Sequence, residues 1–151
     1  MSESGSYRPR LSTKRIKHYL ELARAQALCS DFDQTKLGAV VIYKGRVIST
    51  GWNSQEKTHP LQKRMNRYRG FDPDESNTNN TIHAEMAALI KIRHLDIDWS
   101  KVSVFVYRVK KDGSKGLARP CPGCENYIRK LGIRQVYYST NNGWGYEVYE
   151  S

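Results

Sequence analysis

Two short pieces of the sequence carry side chains that could do chemistry together. One is His83-Ala84-Glu85. The other is Pro120-Cys121-Pro122-Gly123-Cys124. Each stands where a helix is expected to begin. Cysteines three apart at a helix start turn both sulfurs to one side, and the positive helix end favours thiolate. One imidazole and two thiolates form a soft-to-borderline donor set that suits Zn²⁺. Three protein ligands leave a fourth tetrahedral position for water, the arrangement of a catalytic rather than a structural zinc. Glu85, two residues beyond His83, can lie over such a water without binding the metal and can move protons. A thioredoxin-like redox pair is the rival reading of Cys121 and Cys124, but it gives His83 and Glu85 no role. His18, His59 and His94 read as solvated polar residues. The third cysteine, Cys29, reads as a small buried filler at the apolar end of a helix.

The charge points the same way. The chain has 151 residues and a formal net charge of +10. Residues 1–20, 53–70 and 108–119 each hold five basic residues against one acidic residue. Such clustering suggests a partner carrying phosphate, provided the segments meet in space. Arg64 and Arg67, in the second segment, and Arg119, next to the cysteine pair, are the candidates for contacting it.

The length suits one domain with a real core, and 38% apolar with 26% charged residues excludes collagen-like and fully disordered chains. No run of about 18 apolar residues exists, so no membrane partner is expected. The first ten residues lack the apolar centre of a secretory signal. An odd cysteine count with one closely spaced pair suggests a reducing, cytoplasmic setting.

Several elements must position the reactive residues. Residues 1–11 read as a loose basic arm, and 12–151 as one domain with a basic insertion at 54–80. Ser12 caps a helix with Ile16, Leu20, Ala23 and Ala27 on one face, ending near Cys29–Asp31. Gly38–Tyr43, a Lys44-Gly45 turn and Arg46–Thr50 form a hairpin. Thr58 could cap a short helix in the insertion, with Leu61, Met65 and Tyr68 on one face. A helix is expected over 81–93, a strand over 102–109, a turn at Asp112-Gly113, a helix over 121–131, a strand over 135–139 and a short strand over 146–149. This order predicts an α/β fold, a mixed sheet sandwiched by helices.

The pieces Gly38-Ala-Val-Val-Ile42, Gly45-Arg-Val-Ile-Ser-Thr-Gly-Trp-Asn53, Thr81-Ile-His-Ala-Glu85 and Pro120-Cys-Pro-Gly-Cys124, in this order, resemble the zinc-dependent cytidine and deoxycytidylate deaminase superfamily. The resemblance spans about residues 12–140. It implies a three-layer cytidine-deaminase-like fold with a five-stranded mixed sheet flanked by helices. It implies one catalytic zinc held by His83, Cys121 and Cys124, with Glu85 as proton shuttle. It further implies substrate contacts from Asn53, from the backbone N–H groups of Ala84 and Cys121, from the Arg119 carbonyl, and from Tyr138, which core packing explains equally well. The implied reaction is hydrolytic deamination by zinc-activated water, with cytosine in a free nucleotide such as dCMP as the first substrate. Cytosine or adenine within single-stranded DNA or RNA, including tRNA, is the alternative. A non-enzymatic zinc adaptor would require Glu85 to be dispensable. The insertion holds His59 and no cysteine, so no second zinc site is expected. The charged turn at 108–119 is longer than the family's minimal pattern. A homo-oligomer and a nucleic-acid partner both stay open.

Overall fold

The computed structural model describes residues 11–54 and 83–149. Residues 1–10 of the arm, the expected Thr58 helix, Arg64, Arg67, Thr81 and Ile82 lie outside the described residues. Helix α1 spans Thr13–Ala27, and the Ser12 side chain accepts from the Arg15 N–H as a helix cap. Strands β1 (Thr35–Tyr43) and β2 (Arg46–Trp52) form the hairpin. Its two-residue turn has φ of 52° at Lys44 and 78° at Gly45, so both turn residues are left-handed, as a twisted hairpin requires. Helix α2 (Ala84–Ile90) and a 3₁₀ turn (Trp99–Lys101) lead into β3 (Val102–Lys110). A two-residue strand β4 (Lys115–Gly116), helix α3 (Pro122–Leu131), β5 (Gln135–Ser139) and β6 (Trp144–Val148) complete the order.

The strands run β2-β1-β3-β5-β6, with β4 paired to the end of β3, giving six strands in all. Five of them make the expected mixed sheet. The sixth arises because the Asp112-Gly113 turn folds the basic segment back on β3, pairing Arg108 with Gly116. All neighbours are antiparallel except β3 and β5, which are parallel and joined through α3.

Side-chain alternation divides the core into two layers. Val40 and Ile42 of β1 and Phe105 of β3 pack with Ile16, Tyr19, Leu20 and Ala23 of α1. Ala39, Val41, Val102, Val104 and Val106 face the other way, against Met86, Ala88 and Leu89 of α2 and Cys124 and Ile128 of α3. The sheet is thus flanked by helices on both faces.

Two expectations need correction. Cys29 is exposed, not a buried filler. The buried stripe of α1 continues from Ala23 to Ala27 and then to Ser30, which leaves Leu28 and Cys29 on the outside of the turn. The described part of the second helix is also shorter than 81–93, because His83 has extended backbone (φ −86°, ψ 159°) and acts as the N-cap residue, while turns replace helix after Ile90.

Glycine sets how closely α2 approaches the sheet. A Cβ on Gly51 of β2 would lie 2.6 Å from the Ala88 nitrogen and 2.7 Å from the Ala84 oxygen. Gly51→Ala should therefore push α2 outward and lower stability by about 1–3 kcal/mol. Gly143→Ala is the control, since its Cβ meets nothing within 4 Å. Denaturant melts of both variants should separate them. Equal midpoints would mean that α2 does not rest on Gly51.

Candidate metal centre and active-site cleft

Three chain segments end or begin at the same end of the sheet. Strand β2 closes at Trp52-Asn53, β3 closes at Arg108–Lys110, and β1 opens at Thr35–Leu37, opposite Lys110–Arg108. Helices α2 and α3 both start there. His83 immediately precedes α2, and Cys121 immediately precedes α3, where it too has extended backbone and is followed by Pro122 at the first helical position. Cys124 lies inside the first turn of α3. The turn therefore stacks Cys124 close to Cys121, and sheet packing brings His83 to them.

The three donor atoms lie within 4.8 Å of one another. The His83 Nδ1 is 3.3 Å from the Cys124 Sγ and 3.6 Å from the Cys121 Sγ. In a tetrahedral zinc site with ordinary bond lengths, the edge between nitrogen and sulfur measures roughly 3.5 Å. The donor set thus fits zinc in kind and in spacing. Binding through Nδ1 requires the imidazole proton on Nε2. The Cys121 thiol is drawn down from 9.0 to about 3. The hydrogen bond with Cys124 contributes most, burial opposes it, and the hydrogen bond and charge of His83 add to the lowering. Cys121 is thus set up as a thiolate, the form a metal needs.

A cleft of about 310 Å³ opens beside this cluster. Its lining includes His83, Cys121, Glu85, Asn53, Arg108 and Arg119. Glu85 sits in the first turn of α2, only 4% exposed, and lines the same cleft as His83 and Cys121 without belonging to the donor set.

Asn53 is buried and braces the wall. Its Oδ1 accepts from the Leu37 N–H at 2.9 Å, and its Nδ2 donates to the Thr35 carbonyl at 3.1 Å. The Ser30 hydroxyl donates to its carbonyl at 2.8 Å. Among the described residues, one Nδ2 hydrogen and one Oδ1 lone pair have no further partner and can meet a ligand. Ala84 is fully buried and can offer only its backbone, in the first turn, where N–H groups lack helical acceptors. The Arg119 guanidinium closes onto Glu147 of β6, and that carboxylate raises its pKa through the hydrogen bond and the charge. Tyr138 is half-buried against the α2/α3 core layer and does not line the cleft. Burial, with Glu147 nearby, raises its pKa. Arg64 and Arg67 fall outside the described residues.

The sequence reading singled out no role for Arg108, Thr35, Leu37, Phe32 or Leu117, all of which line the cleft. For Arg108 a signal existed. Val102, Val104 and Val106 occupy one buried face of β3, and Arg108 comes next on that face.

The pattern described as the cytidine and deoxycytidylate deaminase zinc-binding region matches residues 13–140. The chain belongs to this family. It is an enzyme, a zinc-dependent hydrolase of the deaminase kind. A deoxycytidylate deaminase of Mycobacterium phage D29 is 28% identical over 129 residues, covering 81% of this chain and 91% of the phage protein. The dCMP deaminase of cyanophage S-TIM5 superposes with a TM-score of 0.59 at 23% identity, covering 86% of each chain. A second structure of that protein, in complex with dCMP and dUMP, gives the same TM-score and covers 87% of this chain and 85% of that one. At this identity the structural match supports the fold alone, and it agrees with the three layers seen in this deaminase. No helix among its described residues is long and apolar enough to cross a membrane.

Metal analysis of the purified enzyme should find about one zinc per chain. Cys121→Ser and Cys124→Ser should each lose it and lower the melting temperature, because metal binding is coupled to folding. Two zincs per chain, or full zinc in both variants, would contradict the three-donor site.

Proposed function

We propose that this enzyme removes the amine of cytosine in a free deoxynucleotide, converting dCMP and water to dUMP and ammonia. The observation that carries the reading is the buried Glu85, which lines the same cleft as His83 and Cys121 without being part of the His83-Cys121-Cys124 donor set. The phage relative named as a deoxycytidylate deaminase supports the choice of substrate.

Zinc held by the three donors would supply an acidified water as nucleophile at C4 of the base. The work of this chain's own residues follows from their positions. Glu85 takes the proton the water loses, delivers it to N3 of the ring and then assists the departing ammonia. A carboxylate as buried as that of Glu85 exchanges these protons with substrate rather than with bulk solvent. The N–H groups of Ala84 and Cys121 and the carbonyl of Arg119 grip the base edge, and Asn53 contacts the sugar or base while holding β1 against β2. Tyr138 acts from outside the cleft by packing against the core. Residues 12–151 act as one deaminase domain.

Glu85→Ala should keep its zinc and lose ammonia release by a factor on the order of 10²–10⁴ or more. Zinc content, a thermal melt and turnover in one preparation check all three points. Turnover near wild type would remove the shuttle role. A substrate panel tests the rest. The enzyme should favour dCMP over deoxycytidine, cytidine and single-stranded DNA or RNA in kcat/KM. Faster turnover of an oligonucleotide, with affinity falling steeply in salt, would favour the nucleic-acid reading.

A further inference from the structure

The cleft is lined by a cation, Arg108, that no carboxylate among the described residues neutralises. Arg108 comes next after Val102, Val104 and Val106 on the face of β3 that packs beneath α2 and α3. Beyond the core edge this face opens into the cleft, which Arg108 lines together with His83, Glu85 and Asn53. Its backbone is fixed, since the Arg108 N–H donates to the Ser139 hydroxyl at 3.0 Å and that hydroxyl donates to the Gly116 carbonyl at 2.7 Å. The stem of the side chain lies over Gly116, where a Cβ would come within 3.0 Å of the Arg108 Cδ.

The guanidinium is much less satisfied than the backbone. One amino group makes a long contact of 3.4 Å to the Thr35 hydroxyl. The Nε is buried with no hydrogen-bond partner. Among the described residues no carboxylate pairs with it, whereas the neighbouring Arg119 is paired with Glu147. Drawing a guanidinium partly out of water is costly unless an anion or a set of acceptors replaces the water. The planar fork of N–H donors matches a phosphate in a bidentate way.

We propose that Arg108 is the residue that binds the substrate's phosphate and makes the enzyme select a nucleotide over a nucleoside. This rests on the nucleotide reading above for the identity of the substrate. The long turn at 108–119 then has a function. It folds β4 against the end of β3, presents a glycine under the Arg108 stem, and holds the guanidinium beside the reacting base. Arg119 takes no part in this contact, because its charge is already answered by Glu147.

The test compares dCMP with deoxycytidine, which differ only in the phosphate. Binding is measured by calorimetry with the zinc-loaded Glu85→Gln protein, so that ligand is not consumed, and turnover with the protein carrying Glu85. Each is done with Arg108, Arg108→Gln and Arg108→Lys. With Arg108 present, dCMP should bind more tightly than deoxycytidine. Arg108→Gln should shrink that ratio by about 30-fold, the size expected for losing a charge-assisted pair, and Arg108→Lys by less. The dCMP-to-deoxycytidine ratio of kcat/KM should shrink in parallel, mostly through KM. Zinc content and melting temperature of each variant exclude a folding defect.

An unchanged ratio in Arg108→Gln, an equal loss on both ligands, or no phosphate preference with Arg108 present overturns the assignment. So does an effect confined to a cytosine-containing oligonucleotide, which would make the anion a phosphodiester. Conversely, a phosphate preference in binding that depends on Arg108, with no ammonia released from dCMP, leaves Arg108 standing and overturns the proposed reaction.

Discussion

The structure depends on one convergence. His83 and Cys121 are far apart in sequence, yet the Nδ1 of one lies 3.6 Å from the Sγ of the other. Neither helix alone can build the donor set. Helix α3 supplies two sulfurs one turn apart, and α2 supplies the nitrogen. They meet because both helices begin at the same end of one sheet and pack on the same face of it. Strand ends that meet helix starts leave a crevice, the usual place for a ligand in an α/β sheet. The cleft, the thiolate and the buried carboxylate all follow from that placement.

Small residues make the convergence tight. Gly51 lets α2 descend onto β2, and the Ser49 hydroxyl donates to the Ala88 carbonyl at 2.6 Å across the same contact. On the opposite face Gly38 admits α1, whose Ala23 oxygen and Ala27 nitrogen would each lie 2.2 Å from a Cβ there. Asn53 then ties the loop after α1, the start of β1 and the end of β2 into one wall. A metal site assembled from separate elements needs such stiffness, since a shift of one ångström misplaces a ligand.

Electrostatics divides the two arginines at the cleft. Arg119 is held to β6 by Glu147, so its charge fastens the segment before Cys121 to the sheet edge. Arg108 has a fixed backbone and a guanidinium whose buried Nε has no hydrogen-bond partner among the described residues. The two differ in partners, not in residue type. That is why a count of basic residues points to phosphate but does not say which residue meets it.

The sequence by itself determined the donor types, their spacing within each helix start, and the order of most elements. Those features are local. Cys121 and Cys124 are one helical turn apart, the Lys44-Gly45 pair suits a tight hairpin, and alternation marks β3 as a strand with two buried faces. Tertiary structure decided what depends on contacts between distant residues. It exposed Cys29, because the stripe of α1 runs on to Ser30 instead. It turned Tyr138 toward the core and bound Arg119 to Glu147. It folded the basic turn into a sixth strand and aimed Arg108 into the cleft. A charged residue following three valines on one strand face was visible in the sequence. Only the packing of α2 and α3 over that face, ending just short of Arg108, decided that the position opens onto an active site.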